Sequence, residues 1–200
     1  FGGIFTEDLR GIKYFSRQSF QEDVKIFSDS YTENIMIPSD AFSQEAFLGT
    51  TNFQEEQWRG SFGDSYTDRN LVSAVNLDHL TRQTYGISQK ELFEEFFSQM
   101  DKSMKILEVG SNVGGQLSFL QKMGFKNLYG VEINQKAIDI CRKNNKDINV
   151  VYGTALELPF KDNYFDMVFT AGLLIHIDPK KINRALNEIY RCSRKYIWCL

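Results

Sequence analysis

The second half of the chain alternates short apolar runs with segments in which apolar residues recur every three or four positions. The runs are typical of buried strands, and the recurrence is typical of helices that cover a sheet. The predicted strands are 105–109, Leu128–Val131, Ile148–Tyr152, Phe165–Thr170 and Tyr196–Leu200, and the predicted helices are Gln116–Met123, Gln135–Asn144 and one that Asp178 and Pro179 begin. Regular alternation of strand and helix predicts an α/β fold with a parallel sheet and right-handed crossovers.

The first half of the chain has weaker patterns. Residues 1–50 mix aromatic and charged side chains without a sustained period and are predicted to be an extension of unknown role. Residues 51–104 are predicted to be helical, with a turn at Phe53–Arg59, a break at Gly60–Gly63 and a helix at Ser65–Val72. A later helix opens with a capping box at Ser88 and Glu91, and its apolar stripe should pack on the sheet. Residues 105–200 form the predicted core domain.

A glycine loop follows the first core strand in the segment KILEVGSNVGGQLSFL. Glu108, Gly110, Asn112 and Gly114 stand at every second position, with Asn in place of a central glycine. Asn is among the residues that best tolerate positive φ, so the turn should survive this change. A loop that ends at a helix N-terminus predicts a site for a nucleotide-like cofactor, although a plain strand-to-helix turn has the same pattern.

An acidic residue ends the second core strand. Glu132 lies 132 − 110 = 22 residues after Gly110. A carboxylate about 20 residues beyond the loop, at the end of the next strand, is the group that holds a ribose diol. Both NAD enzymes and methyltransferases that use S-adenosyl-L-methionine (SAM) place an acid there.

Three segments together resemble the class I SAM-dependent methyltransferases: ILEVGSNVGG, YGVEIN and NVVYGTALELPFKDNYFDMVFTAGLLIHI, in that order. More narrowly, FQEEQWRGSFGDSYTDRN, LIHIDP and EIYRCSRKYI are similar to the methylases associated with pseudaminic acid biosynthesis. The resemblance implies a Rossmann-like sheet whose last strands are missing from this chain, an N-terminal helical lid, and SAM as the cofactor. It also implies a small-molecule acceptor, a sugar hydroxyl or amine.

The resemblance assigns the cofactor contacts by position. Glu108 would lie near the methionine amino group, and Thr154 stands where the family often has an Asp that accepts from adenine. The cofactor-binding residues implied are Tyr66 and Arg69 on the lid, Glu108, Gly110, Ser111, Asn112 and Gly114 at the loop, Glu132 and Ile133 at the ribose and adenine, Thr154, Ala155 and Leu156 at the adenine, and Thr170, Ala171 and Gly172 near the methyl group.

His176 is the candidate catalytic base. It is one of two histidines in the chain and follows the fourth core strand, where open α/β sheets place their ligands. A histidine there can also serve only to pack or cap. Two other functions remain open, an NAD(P)-dependent oxidoreductase and a non-catalytic SAM-binding protein, although no Tyr-x-x-x-Lys pair is placed for hydride chemistry.

Composition limits the classes of partner that we expect this protein to bind. The formal charge is −3 and no Lys/Arg cluster occurs, which argues against a nucleic-acid acceptor. No apolar stretch reaches 18 residues and no signal peptide opens the chain, so we expect a cytoplasmic protein with no membrane partner. The three cysteines frame neither a disulfide set nor a zinc site, and no metal is expected.

The last predicted strand leaves an open edge. Tyr196–Leu200 would be the fifth of the seven strands in the family's sheet, and an apolar edge strand without a partner is avoided in folded proteins. We therefore expect another copy of the chain, or a continuation beyond Leu200, to cover this edge.

Overall fold

The computed structural model describes residues 5–7, 13–16, 53–71, 82 and 86–199. Within them one mixed sheet carries helices on both faces. Its strands are β1 (Phe5–Glu7), β2 (Lys13–Ser16), β3 (Lys105–Val109), β4 (Asn127–Glu132), β5 (Ile148–Tyr152), β6 (Phe165–Thr170) and β7 (Ser193–Cys199). The helices are α1 (Phe53–Arg59), α2 (61–71), α3 (Gln89–Phe97), α4 (Gly115–Lys122), α5 (Gln135–Asn144) and α6 (Ile182–Cys192), with 3₁₀ turns at Leu174–His176 and Pro179–Lys181.

The strand order is β1-β2-β7-β6-β3-β4-β5. The five strands from β7 to β5 are parallel, as predicted, and β3 lies between β4 and β6. Because β3 is central, its carboxyl end faces the point where the chain order reverses, and open α/β sheets bind their ligands at that point. The α/β fold and its parallel core are confirmed.

The capping-box helix α3 packs on the sheet as predicted. The Ser88 hydroxyl accepts from the backbone N–H of Glu91, and the Glu91 carboxylate accepts from that of Ser88. Phe93 and Phe97 are fully buried, and both rings contact Trp198 of β7 with centroids 5.4 Å apart. The opposite face of the sheet is covered by α6, whose apolar residues are buried against it.

The open edge predicted at the last strand is the main correction. β7 begins at Ser193, three residues earlier than expected, and its outer edge pairs antiparallel with β2, where Phe15 faces Ile197 and Ser16 faces Tyr196. The chain thus covers this edge with its own N-terminal segment, and β1 extends the sheet further. The premise from which we expected a second copy or a continuation was therefore wrong. Leu200 lies outside the described residues.

Two helix boundaries also differ from the sequence prediction. α2 begins at residue 61, so the break between α1 and α2 is confined to Gly60. The predicted end of this helix at Val72 lies outside the described residues. Asp178 does cap a turn, since its Oδ1 accepts from the Lys180 N–H at 2.9 Å, but that turn is a short 3₁₀ segment and α6 follows it. Among the described helices, none has the length and apolar character needed to cross a membrane.

Candidate functional site

A cavity of about 280 Å³ lies between the carboxyl ends of the parallel strands and the two helices α1 and α2, called here the lid helices. Most of the residues predicted from sequence lie on its wall. They are Tyr66, Gly110, Ser111, Asn112, Glu132, Ile133, Thr154, Ala155, Leu156, Ala171, Gly172 and His176. The fold therefore brings the predicted loop, Glu132 and the candidate base to one cavity.

The glycine loop, residues 110–114, has the backbone shape that its sequence predicts. Gly110, Asn112 and Gly114 have φ of 77°, 45° and 78°. Asn112 thus takes the left-handed conformation usually left to glycine, as expected for this residue type. The N–H groups of Gly110 and Ser111 donate to Val131 O at 2.9 and 3.1 Å, so the loop is fixed to the end of β4.

The φ of Asn112 gives a stability prediction. Asn112→Val should lower the free energy of unfolding by about 1 to 2 kcal/mol relative to Asn112→Gly, because a β-branched side chain is strained at positive φ. Urea unfolding of the two variants measures the difference. Equal stability would show that position 112 does not need the left-handed conformation.

Glu132 connects the second strand to the glycine loop. Its Oε2 accepts from Asn112 N at 2.8 Å, and its Oε1 accepts from Ile133 N at 2.8 Å and Asn134 N at 2.9 Å. Burial raises the pKa of this carboxyl, while the three N–H groups oppose the rise. A carboxylate offers about four lone-pair sites, and the three N–H groups occupy both sites on Oε1 and one on Oε2. The remaining site on Oε2 can accept from a ribose hydroxyl.

Unpaired polar atoms mark the cavity wall beside Glu132. Ser111 Oγ and Asn112 Oδ1 are buried, and neither has a hydrogen-bond partner among the described residues. Buried polar groups are almost always paired, so two such atoms on one wall indicate a polar ligand that contacts this loop. The orphaned atoms are the observation that best fits the predicted cofactor.

Glu108 is the first of four predicted residues that do not line the cavity. Its side chain is 1% exposed, and neither carboxylate oxygen has a hydrogen-bond partner among the described residues. Burial, and then the neighbouring charge of Glu132, hold its pKa well above the ordinary value. The carboxyl lies under the loop rather than on the wall.

The raised pKa of Glu108 predicts a pH-dependent stability of the free protein. The folded state holds this proton more tightly than the unfolded state, so stability is lost as pH rises through the folded pKa. The free energy of unfolding of the wild type should therefore fall between about pH 5 and about pH 8. In Glu108→Gln the fall over the same range should be smaller, because the amide binds no such proton. Urea unfolding at both pH values tests this, and identical losses would contradict it.

The other three predicted residues that do not line the cavity are Arg69, Gly114 and Thr170. Arg69 is exposed and lies 5.5 Å from the centre of the Tyr66 ring. Gly114 caps α4, and a Cβ there would lie 2.5 Å from Cys141 Sγ. Thr170 is fully buried and its hydroxyl donates to Val109 O at 2.9 Å, which ties β6 to β3. These three residues shape the site without lining it.

The cavity beyond Glu132 ends at the loop after β5. Gly153, Thr154, Ala155 and Leu156 line this end. The Thr154 hydroxyl, predicted to accept a hydrogen bond from adenine, donates to the Glu55 carboxylate of α1 and accepts from Leu156 N at 3.2 Å. One lone pair of the hydroxyl remains for the predicted role, and Glu55 adds a carboxylate at this end of the cavity.

His176 lies at the other end of the cavity, beyond β6. Its ring contacts Trp58 with centroids 4.8 Å apart and Tyr66 with centroids 6.1 Å apart. Burial lowers its pKa from the ordinary 6.5, so the imidazole is neutral near pH 7 and can accept a proton. Two aromatic rings of the lid helices thus orient the candidate base.

The lid helices are attached to the core at the start of α5. Asn134 caps that helix through its Oδ1, which accepts from Ala137 N at 2.9 Å. Its Nδ2 donates to Trp58 O at 3.1 Å and to Asp64 Oδ1 at 2.9 Å. Lys136 pairs with Asp68 at 2.6 Å on the surface. Asn134 therefore links the lid helices to β4, the strand that ends at Glu132.

Gly63 allows this close attachment, which gives a test of the lid. A Cβ at Gly63 would lie 1.9 Å from Trp58 O and 2.8 Å from Asn134 Nδ2. Gly63→Ala should displace the lid helices and make the segment 53–71 cleave faster under limited proteolysis, whereas Ser61→Ala, at an exposed position, should not.

Ligand dependence is the second part of the test. Cofactor should slow cleavage of the segment 53–71 in the wild type, because we expect the lid helices to close over the cavity when it is bound. Equal cleavage rates with and without cofactor would contradict the prediction that this segment is a lid.

Sequence reasoning missed Glu55, Trp58, Gly63 and Asn134, all of which line the cavity. Asn134 had a usable pattern, because an Asn directly before a helix is a preferred N-cap. Glu55 and Trp58 gave none, since their role depends on where α1 docks. Among the described residues no group of three His, Cys, Asp or Glu side chains is placed to hold a metal ion.

Residues 107–196 match the family model described as a methyltransferase domain. Two curated relatives are 24-methylenesterol C-methyltransferase 2 of Arabidopsis thaliana, 32% identical over 56% of this chain and 34% of that protein, and the fatty-acid O-methyltransferase of Mycolicibacterium smegmatis, 34% identical over 52% of this chain and 39% of that protein. The chain spans little more than a third of the length of these relatives.

Solved structures confirm the fold. A candidate SAM-dependent methyltransferase from Methanococcus maripaludis has a TM-score of 0.50 at 21% identity, with 60% of this chain and 57% of that chain covered. A candidate methyltransferase of Haloferax volcanii, solved with the Trm112 methyltransferase activator, has a TM-score of 0.51 at 18% identity, with 66% and 54% covered. The core has the Rossmann-like sheet of class I methyltransferases, as the sequence predicts.

Proposed function

We propose that this chain is the cofactor-binding and catalytic part of a SAM-dependent methyltransferase that acts on a small molecule. The observation that carries the proposal is the wall of the glycine loop, which also holds Glu132 and where Ser111 Oγ and Asn112 Oδ1 are buried with no hydrogen-bond partner in the part of the chain that the structure describes. The methyltransferase-domain match over residues 107–196 supports SAM over NAD as the ligand.

The residues present fit SAM as a ligand. The buried loop atoms can bond its polar methionine end, and Glu132 Oε2 can accept from a ribose hydroxyl. Ile133 offers an apolar surface to the base, next to the loop after β5. SAM, when bound, supplies a methyl group activated by its sulfonium and leaves as a neutral thioether. The protein therefore needs to position two molecules rather than to activate the methyl group.

His176 supplies the remaining chemistry, the removal of a proton from the acceptor. A sugar hydroxyl has a pKa far above neutral, so a base that takes its proton makes the oxygen a better nucleophile. The imidazole is held by Trp58 and Tyr66 and stays neutral because burial lowers its pKa.

The acceptor is proposed to be a carbohydrate, a nonulosonic acid or its nucleotide-sugar precursor, methylated on a hydroxyl or an amine. The narrower sequence resemblance favours it. The cavity also combines the flat rings of Trp58 and Tyr66 with polar side chains of Asp178 and Lys181 near His176. A hydroxylated ring can stack on such rings and bond such groups.

The experiment is transfer of labelled methyl from SAM into a panel of acceptors. The panel contains nonulosonic acids, their nucleotide-sugar precursors, a fatty acid, a sterol and a protein mixture. Label in the sugars alone is the expected result. Label confined to the fatty acid or sterol would assign the acceptor to the chemistry that the curated relatives' names describe, and label confined to protein would exclude a small molecule.

A SAM-binding protein without transferase activity is the remaining alternative. It would bind SAM and label none of the five classes.

A further inference from the structure

A carboxylate from the lid closes the cavity at the end opposite His176. Glu55 of α1 lines the cavity, and its side chain is 16% exposed. The Thr154 hydroxyl donates to one of its oxygens, and Arg59 approaches the other at 3.5 Å. Leu156 N donates in turn to the Thr154 oxygen, which fixes the direction of the hydroxyl. The position of the Glu55 carboxylate is thus set by the core as well as by its own helix.

The strand order defines what Glu55 can reach. Neighbouring strands place the glycine loop after β3, Glu132 at the end of β4 and Thr154 just after β5. On the other side of β3, the end of β6 leads to the small residues and to His176. A nucleoside whose ribose lies on Glu132 and whose reactive end points to His176 therefore extends its base toward β5, where Glu55 and Thr154 lie.

We propose that Glu55 accepts a hydrogen bond from the exocyclic amino group of the cofactor's adenine, so that the lid determines base specificity. This inference rests on the proposed function. A carboxylate only accepts, so it attracts an amino group and repels the oxygen that replaces it in a 6-oxopurine. A site built around such a contact discriminates against the analogue that lacks the donor.

The contact also couples cofactor binding to the lid. Glu55 belongs to α1, and α1 is attached to the core through Asn134 and Thr154. A base that bonds Glu55 adds a third attachment, which holds Trp58 of the same helix against His176. The amino group of the base thereby stabilises the lid position in which the candidate base is oriented.

Calorimetric titration with S-adenosylhomocysteine and with its 6-oxo analogue, S-inosylhomocysteine, tests the proposal. The wild type should bind the amino form about ten- to a hundredfold more tightly, the range expected of a charged hydrogen bond. Glu55→Gln should bring the ratio of the two dissociation constants close to one, because an amide can donate to the oxo group as well as accept. Thr154→Val should lower the ratio by less, since it only releases Glu55.

Glu56→Gln is the matched control, an exposed neighbour outside the cavity, and should leave the ratio unchanged. If both Glu55→Gln and Thr154→Val still bind S-adenosylhomocysteine and leave the ratio unchanged, the role of Glu55 is contradicted, and the proposed function is not. Failure of the wild type to bind S-adenosylhomocysteine would overturn the proposed function together with this inference.

Discussion

Glu132→Ala is expected to raise the dissociation constant of S-adenosylhomocysteine about ten- to a hundredfold, a loss of about 1.4 to 3 kcal/mol. The variant loses the carboxylate that should accept from a ribose hydroxyl. It also loses the bond from Asn112 N, one of the contacts that fix the glycine loop. Both losses act on the same wall of the cavity, which makes this the largest expected effect on binding.

Asp139→Ala is the matched control for Glu132→Ala. Asp139 is exposed one turn into α5, where it accepts from Gln135 Nε2 at 2.8 Å, so its removal should leave binding unchanged. Calorimetric titration measures both variants, and circular dichroism checks that each is folded. A folded Glu132→Ala variant with wild-type affinity would remove the ribose assignment.

His176→Ala is expected to lower turnover about a hundredfold, within the range contributed by general bases, while the affinity for SAM changes little. The imidazole lies at the acceptor end, away from the loop and Glu132. Its depressed pKa predicts that wild-type turnover is constant from neutral pH upward and falls below the ordinary histidine pKa of 6.5, where the base becomes protonated.

The pH profile separates a catalytic role of His176 from a packing role. His176→Ala should lack the acidic limb of the profile, whereas a variant that only loosens packing would retain it. Ile175→Ala is the control, because that side chain is 71% exposed on the same 3₁₀ turn. Full turnover in His176→Ala would mean that the enzyme works by positioning alone.

The core of the fold could be predicted from local patterns. Ile106, Leu107 and Val109 had to be buried on both faces of a sheet, and strand β3 follows from that requirement. The conformation of Asn112 could also be predicted, since the loop needs positive φ and Asn tolerates it. Both predictions depend on interactions between residues that are close together in the chain.

What could not be predicted depends on contacts between distant segments. The outer edge of β7 pairs with β2, which lies more than 170 residues earlier in the chain. Nothing in the sequence of either strand specifies that pairing. Glu55 meets Thr154 across 99 residues, so an acid on a short helix could not be assigned to the adenine end. The hydrogen bond from the Thr154 hydroxyl to Glu55 was not predicted either, and it leaves the hydroxyl able to accept from the base.

Glu108 shows a different limit of sequence reasoning. The pattern places it at the start of the glycine loop, and the resemblance implied a contact with the methionine amino group. Strand alternation turns its side chain to the face that holds Ile106, under the loop and beside Cys141, where burial raises the pKa of both groups. A position in a motif gives the backbone location, while the strand's alternation decides which side of the sheet the carboxyl occupies.

Calorimetric titration of the wild-type chain with SAM, S-adenosylhomocysteine and NAD tests the central claim most directly. The three ligands share adenine and a ribose diol, so only the fit of the glycine loop and the acceptor end distinguishes them. The account predicts micromolar dissociation constants for SAM and S-adenosylhomocysteine, about −8 kcal/mol each, and no measurable binding of NAD. Binding of NAD with comparable affinity, or no binding of SAM, would contradict it.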